Sequence, residues 1–248
     1  MDIKKITAID VHSHYNTGSK FDTKTSEIYS VDLEFLRSMY DAANIGVSFC
    51  STFASVLSSE TVFQENEYNY IKSQELDWLY QWVVIDPRNN DTFVQAEIML
   101  KSTKCVGIKI HPTYHKYSIS DYGDKIFSFA AEHNTILLTH PDHTDKMPAL
   151  ADKYPDMTLI IAHLSTVDYA KAIRDSKHGN IYVDTSGGDS TKNRIIEYTV
   201  EKAGSERILF GTDTYASGSQ RGRIEYAQIS DDDKVNILRN NALKLFKL

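Results

Sequence analysis

The chain has 248 residues, 34 of them acidic against 27 Lys and Arg, for a formal charge of −7. That balance argues against nucleic acid or another polyanion as partner, because phosphate binding draws on clustered Lys and Arg, and no basic stripe or nucleic-acid motif is present. Hydrophobic residues at 41% and charged residues at 25% sit near the globular norm, enough for a sizeable core in one domain over residues 1–248. No window approaches the ~18 consecutive apolar residues of a membrane span. The opening MDIKKITAIDVHSH lacks the long apolar run of a signal peptide. Cys50 and Cys105 lie in or beside apolar runs without a CxxC neighbour, so buried reduced thiols and a cytoplasmic location are expected.

Short runs rich in Ile, Val, Leu and Phe predict strands at 6–11, 46–53, 79–86, 106–110, 135–139, 158–162, 181–185 and 208–211. Helices are predicted between and after them, near 31–43, 60–76, 91–102, 121–133, 145–153, 166–176, 190–203 and 231–239. Asp86-Pro87 and His111-Pro112 end their strands, since proline cannot continue a ladder. Gly179-Asn180 is a helix stop, and Ser230 followed by Asp231, Asp232 and Asp233 reads as a capped helix start. Eight β-α units in this length have the rhythm of a TIM (β/α)8 barrel. A doubly wound open sheet is the competitor, but the first strand ends in histidines and no GxGxxG follows.

The chemistry-bearing residues fall at strand ends. His12 and His14 are one residue apart, so on an extended strand they share a face. His111 follows the fourth run, in VGIKIHP, His140 the fifth, in TILLTHP, and His163 the sixth, in TLIIAHLS. Asp184 lies in the seventh, in IYVDTSG, and Asp213 closes the eighth, in ILFGTD. Five of the nine histidines thus take equivalent positions; His115, His133, His143 and His178 do not. In a barrel these ends meet at one mouth, where active sites sit.

Neutral imidazoles and a carboxylate are the donors a catalytic divalent ion needs, with a position left open for water. His12, His14, His140 and Asp213 supply three nitrogens and one carboxylate, and Asp213 could also act as the base beside a metal-activated water. His163 would serve nearby as an acid, a substrate polariser or a ligand to a second ion. Lys109, two residues before His111, shares its inward face. A buried lysine there is expected to pair with Asp10 or Asp184; carboxylation into a ligand bridging two metals is the other reading. Arg88, after the third strand, could clamp a carboxylate or stand solvated. Ser186-Gly-Gly-Asp189 reads as a phosphate loop or as a simple turn. Tyr114, Tyr117 and Tyr215 fall in mouth loops as pocket walls, His115 stays outside the core site, and the residues after Asp213, with Gly218 and Gly222, read as a mobile loop.

These residues resemble the amidohydrolase superfamily, closest to its amidohydrolase-related (amidohydrolase 2) branch. The likeness is carried by Asp10-Val-His12-Ser-His14, Gly107-Ile-Lys109-Ile-His111-Pro112, Leu138-Thr-His140, Ala162-His163-Leu164, Asp184-Thr-Ser186, Gly211-Thr-Asp213 and the closing Asn240-to-Phe246 stretch. It implies a TIM-type barrel and a divalent ion, zinc first with manganese or iron as alternatives, one ion or two. It implies His12, His14, His140 and Asp213 as metal ligands, and His163 as a catalytic or second-metal histidine. Lys109, His111 and Arg88 stand as second-metal or substrate-binding residues. Lys109 and His111 replace the Gly-Glu-Ile-Gly of the deoxyribonuclease-like branch, which argues against a nuclease.

Three functions follow. The first is a metal-dependent hydrolase acting through activated water on a small anionic amide, lactone or ester. The second is a metal-dependent, non-oxidative decarboxylase of an unsaturated or aromatic acid; the chain is short for those members, which favours hydrolysis. The third is a non-enzymatic ligand-binding barrel, against which the complete ligand set argues. The partner is a small molecule, with no nucleic acid and no membrane; enzymes of this type are often homodimers.

Overall fold

A computed structural model describes residues 2–20, 26–140 and 146–248. Eight parallel strands form one sheet in sequential order: β1 (Ala8–Tyr15), β2 (Ile45–Thr52), β3 (Leu79–Val84), β4 (Cys105–Ile110), β5 (Ile136–Thr139), β6 (Thr158–Ile161), β7 (Ile181–Asp184) and β8 (Ile208–Leu209). The sheet curls into a nearly closed TIM-type barrel. At the seam, Val11 N–H donates to the Phe210 carbonyl (2.9 Å), and the Thr212 and Asp213 N–H groups donate to the His12 carbonyl (3.1 and 2.7 Å). The central strands are nearly continuous runs of buried aliphatic residues, as expected where a parallel sheet is covered on both faces.

The helices are α1 (Ser26–Tyr29), α2 (Leu33–Ala42), α3 (Phe53–Leu57), α4 (Val62–Glu75), α5 (Asn90–Met99), α6 (Pro112–His115), α7 (Ile119–Glu132), α8 (Met147–Lys153), α9 (Asp168–Asp175), α10 (Ile195–Ala203), α11 (Ser217–Glu225), α12 (Asp231–Val235) and α13 (Asn241–Phe246). A π-helical turn, Asn236–Asn240, joins the last two. Asp32 caps α2 through the Phe35 N–H, and Ser230 caps α12 through the Asp233 N–H. None of the described helices is long and apolar enough to cross a membrane. Cys50 is buried and Cys105 half-buried, and both are free.

The barrel interior is filled at one end by Ile9, Val11, Phe49, Trp82, Leu138, Ile160 and Leu209, with Ala242 and Phe246 of α13 packed beneath. Trp82 donates its indole N–H to the Val11 carbonyl (2.8 Å). Gly107 makes room for that ring: a Cβ there would lie 2.7 Å from Trp82 and 2.3 Å from the Ile136 carbonyl oxygen. The opposite end, at the strands' C-termini, is left to polar residues.

Five elements differ from expectation. β1 runs on to Tyr15, so His12 and His14 lie inside the strand rather than at its end. Helices α1, α3 and α6 were not expected; they are single turns, too short for periodicity to register, and α3 and α6 are started by Thr52 and His111 as caps. The residues after Asp213 form α11 instead of a mobile loop. Their Gly content misled, because Gln220, Arg221 and Ile224 are buried and the Arg221 guanidinium donates to the carbonyls of Ile3, Ile6 and Asn44. The predicted helix at 145–153 begins one residue outside the described residues, and His143 lies outside them as well.

Candidate metal centre

β1 is irregular where the site begins: its register with β2 slips between Asp10 and Ser13. Such bulges re-aim side chains. Asp10 turns away from the mouth to accept from the Tyr40 hydroxyl (2.8 Å), the Thr212 hydroxyl (2.6 Å) and the backbone N–H groups of His12 and Thr212. Burial pushes its carboxyl up to about 7 against those bonds. His12 and His14 keep a common direction. His12 Nε2 lies 3.5 Å and His14 Nε2 3.2 Å from Asp213 Oδ1.

The far nitrogen of each ring is held from behind. His12 Nδ1 bonds Asp184 Oδ2 (2.9 Å), and His14 Nδ1 meets the Ser51 carbonyl (3.2 Å). The Asp184 carboxylate accepts only, so the His12 proton sits on Nδ1 and its Nε2 lone pair faces the mouth, whereas His14 stands between two acceptors, the Ser51 carbonyl behind Nδ1 and Asp213 Oδ1 before Nε2. His163 follows His12, with Nδ1 3.2 Å from the Ser186 carbonyl, and its Nε2 lies 3.9 Å from Asp213 Oδ2. His163 and Asp213 both adopt left-handed backbone, φ 62° and 55°, a conformation retained where surrounding bonds over-determine it. For Asp213 those bonds come from Thr214: its hydroxyl accepts from the His14 N–H (2.9 Å) and donates to the His14 carbonyl.

His12, His14 and Asp213 form one group of convergent donor atoms, and His12, His163 and Asp184 another. His140 lines the same cavity but belongs to neither group. It stacks on His111, ring centroids 4.2 Å apart, and its Nδ1 is buried without a hydrogen-bond partner among the described residues. Lys109, 1% exposed, contacts neither Asp10 nor Asp184 within hydrogen-bond range; its ammonium reaches His12 Nε2 at 2.7 Å. The expected ion pair is therefore a longer-range attraction to Asp213 and Asp184, and burial outweighs it, lowering the lysine to about 8.

Burial, reinforced by the Lys109 charge, takes His12 down to about 3; burial, with His163 and Lys109 adding, takes His140 to about 3 as well. Burial raises the Asp213 carboxyl, but the surrounding histidines overcome it and hold it far below the ordinary carboxylate range. His12, His14 and His140, all lowered by burial, face the ionised Asp213 carboxylate, the donor chemistry of a divalent ion. Two observations fit such an ion: the orphaned His140 nitrogen, and the Lys109 ammonium, a cation drawn onto the His12 lone pair.

The cavity, about 280 Å³, is walled by Tyr29, Phe53, Val56, Tyr114, Tyr215 and the Gly187–Asp189 turn. Tyr29, Phe53 and Val56 were not legible as site residues; nothing in their local sequence marks them. Gly187, at φ 81°, faces His163 so closely that a Cβ would lie 2.7 Å from Nδ1, so this turn is a wall of the site. Arg88 is elsewhere. It forks onto Asp86 (2.9 and 2.6 Å) and the His115 carbonyl (2.7 Å), beside Tyr117 in a separate pocket. Two residues along one turn, Asp86 captures the guanidinium before any mouth ligand could. A larger open groove of about 880 Å³ runs along α2 and α4, but none of the convergent histidines is in it.

A barrel with this constellation at its mouth carries the donor set of a divalent-metal site. A family model described as amidohydrolase matches residues 9–248, and the chain belongs to that family. Among solved structures, 5-carboxyvanillate decarboxylase from Sphingomonas paucimobilis is 13% identical, with a TM-score of 0.79 over 98% of this chain and 99% of that one. Dihydroxybenzoic acid decarboxylase from Polaromonas sp. JS666, with bound manganese and 2-nitroresorcinol, is 16% identical (TM-score 0.73, 97% of each chain). A candidate 2-pyrone-4,6-dicarboxylic acid hydrolase from Pseudomonas putida is also 16% identical (TM-score 0.73, 98% of each). At such identities the likeness is one of fold.

Proposed function

We propose that the protein is a divalent-metal-dependent hydrolase of a small anionic molecule of the amide, lactone or ester class, with His12, His14, His140 and Asp213 holding the ion. The observation that carries this is Asp213, which offers Oδ1 to His12 and His14 and Oδ2 toward His163. The ion, zinc or manganese, supplies a Lewis acid that lowers the pKa of water or polarises a substrate oxygen. Asp213 Oδ2 would take the proton of the attacking water and hand it to the leaving group by way of His163 Nε2, whose lone pair faces Oδ2 at 3.9 Å. Lys109 offsets the substrate's charge, a role Arg88 is too far away to share. Phe53, Val56 and the tyrosines keep bulk water out.

Decarboxylation is the second reading, favoured by the cavity itself: about 280 Å³ between aromatic walls suits a single planar ring. It gains weight from the hydroxybenzoate decarboxylases that share the fold. A non-enzymatic barrel has no feature in its favour.

Metal content comes first, on wild type and His12→Ala purified without chelators: one or two equivalents are expected, falling sharply in the variant. The loaded protein is then assayed for ring opening of 2-pyrone-4,6-dicarboxylate and for CO2 release from 5-carboxyvanillate and 2,6-dihydroxybenzoate. Ring opening supports hydrolysis, and CO2 release puts the second reading in its place. A wild type that takes up neither zinc, manganese nor iron defeats both.

A further inference from the structure

Two mouth histidines share one polarity. His12 and His163 each give an Nδ1 proton to an oxygen behind them and turn an Nε2 lone pair inward. His111 is reversed. Its Nδ1 accepts the backbone N–H of Tyr114 at 3.3 Å, the cap of α6. An amide N–H only donates, so Nδ1 carries the lone pair, the ring is neutral, and its one proton is on Nε2. That Nε2–H has no hydrogen-bond partner among the described residues, although His111 is 6% exposed and lines the cavity. The ring cannot swing to find one. It lies between His140, stacked at 4.2 Å, and Tyr114, whose ring is 4.5 Å away.

We infer that His111 is a fixed hydrogen-bond donor to a substrate oxygen and not a ligand to the metal. The inference rests on the metal-centred reading above and divides the histidines that reading leaves together. Coordination through Nε2 would require either a ring stripped of its last proton or the loss of the α6 cap. A donor fixed in direction at the cavity wall needs no reorganisation to meet an oxygen placed there. The substrate group beside His111 is therefore a carbonyl or carboxylate oxygen, on which charge is present or develops in the reaction, and not an amine.

The test uses the whole chain, 15N-labelled at histidine, with and without zinc. Two-bond 1H–15N correlation identifies each tautomer, and His111→Asn assigns the signal while its side-chain oxygen keeps the cap; His111→Gln does so if the Asn variant melts early. The expected result is an Nε2–H tautomer for His111, unchanged by zinc, with an Hε2 resonance that moves when acetate is added as a carboxylate probe. H111N should retain the wild-type zinc stoichiometry and lose less than the roughly tenfold in affinity that even an outer-shell partner costs. An Nδ1–H tautomer, a lost zinc equivalent, a tenfold weaker site or a resonance indifferent to molar acetate overturns the inference. A wild type that binds no zinc sinks the metal-centre reading instead, and the tautomer and acetate response of the metal-free protein still decide the role of His111.

Discussion

Asp184→Asn should disable the metal centre without touching a ligand. The Asp184 carboxylate is wholly buried at the end of β7. Oδ2 takes the His12 Nδ1 proton at 2.9 Å, while Oδ1 takes the backbone N–H groups of His163 (3.1 Å) and Ser186 (2.9 Å) and the Ser186 hydroxyl. Burial alone would raise this carboxyl, but His12 and the Ser186 bond hold it well below the usual range. Asparagine has one acceptor oxygen for the same donors. The two backbone N–H groups cannot reverse, so its oxygen must face them and its NH2 must face His12. His12 then moves its proton to Nε2 and loses the inward lone pair. Outer-shell changes cost 10–100-fold in metal affinity; a reversed ligand belongs at the upper end, about 100-fold or about 2.8 kcal/mol. The metal-free variant should also unfold about 1–3 kcal/mol more easily, from one strained buried polar contact. Chelator competition with zinc reads the first effect and urea unfolding of the metal-free protein the second. D184N binding zinc as tightly as wild type would refute the tautomer argument.

Thr214→Ala should weaken zinc binding about tenfold by releasing Asp213 from its left-handed turn, and Thr214→Ser should restore it; equal affinities in all three would remove the clamp. Gly187→Ala places a methyl against His163 at φ 81°, so it should melt earlier by about 1–3 kcal/mol of backbone strain and lose turnover more than zinc. Unchanged turnover would show that His163 is not positioned by this turn. For Asp86, burial raises the carboxyl, but the hydrogen bonds and charge of Arg88 outweigh it and leave the group below its ordinary value. A depressed carboxyl contributes stability that is complete above the unfolded value, ~4, and is lost as pH falls through the folded one. Wild type should thus exceed Asp86→Asn in urea stability at pH 7, with the gap closing toward pH 3; a gap independent of pH would contradict the ion pair.

The barrel was legible because its strands are short aliphatic runs, each closed by a residue that does not belong in an aliphatic run. The histidines after β4, β5 and β6 announced themselves by that contrast. What escaped depended on contacts between distant segments. Thr214 looks like any loop threonine until His14, 200 residues away in sequence, takes both ends of its hydroxyl. Arg88 was read outward because its partner stands only two residues back, where sequence cannot tell a clamp for a ligand from a clamp for a neighbour. Helices α3, α6 and α11 are set by caps and buried polar anchors, which leave no 3.6-residue rhythm. The polarity of His111 follows from one helix cap, and no spacing of histidines encodes it.

The seam between β1 and β8 bears on the order of events in the protein's biosynthesis. β8 has two residues and meets β1 only through the bonds around Phe210, Thr212 and Asp213, while His12 and His14 emerge from the ribosome some 200 residues before Asp213. Until the last strand arrives, the early histidines have a lone pair to offer but no carboxylate to complete a site. An ion that binds the assembled set acts as a clasp across the one junction the sheet ladder leaves open. Its binding energy is then added to closure of the barrel, and amide protons along β1 and the Phe210–Thr214 segment should be the ones whose exchange with solvent slows most when the ion is supplied.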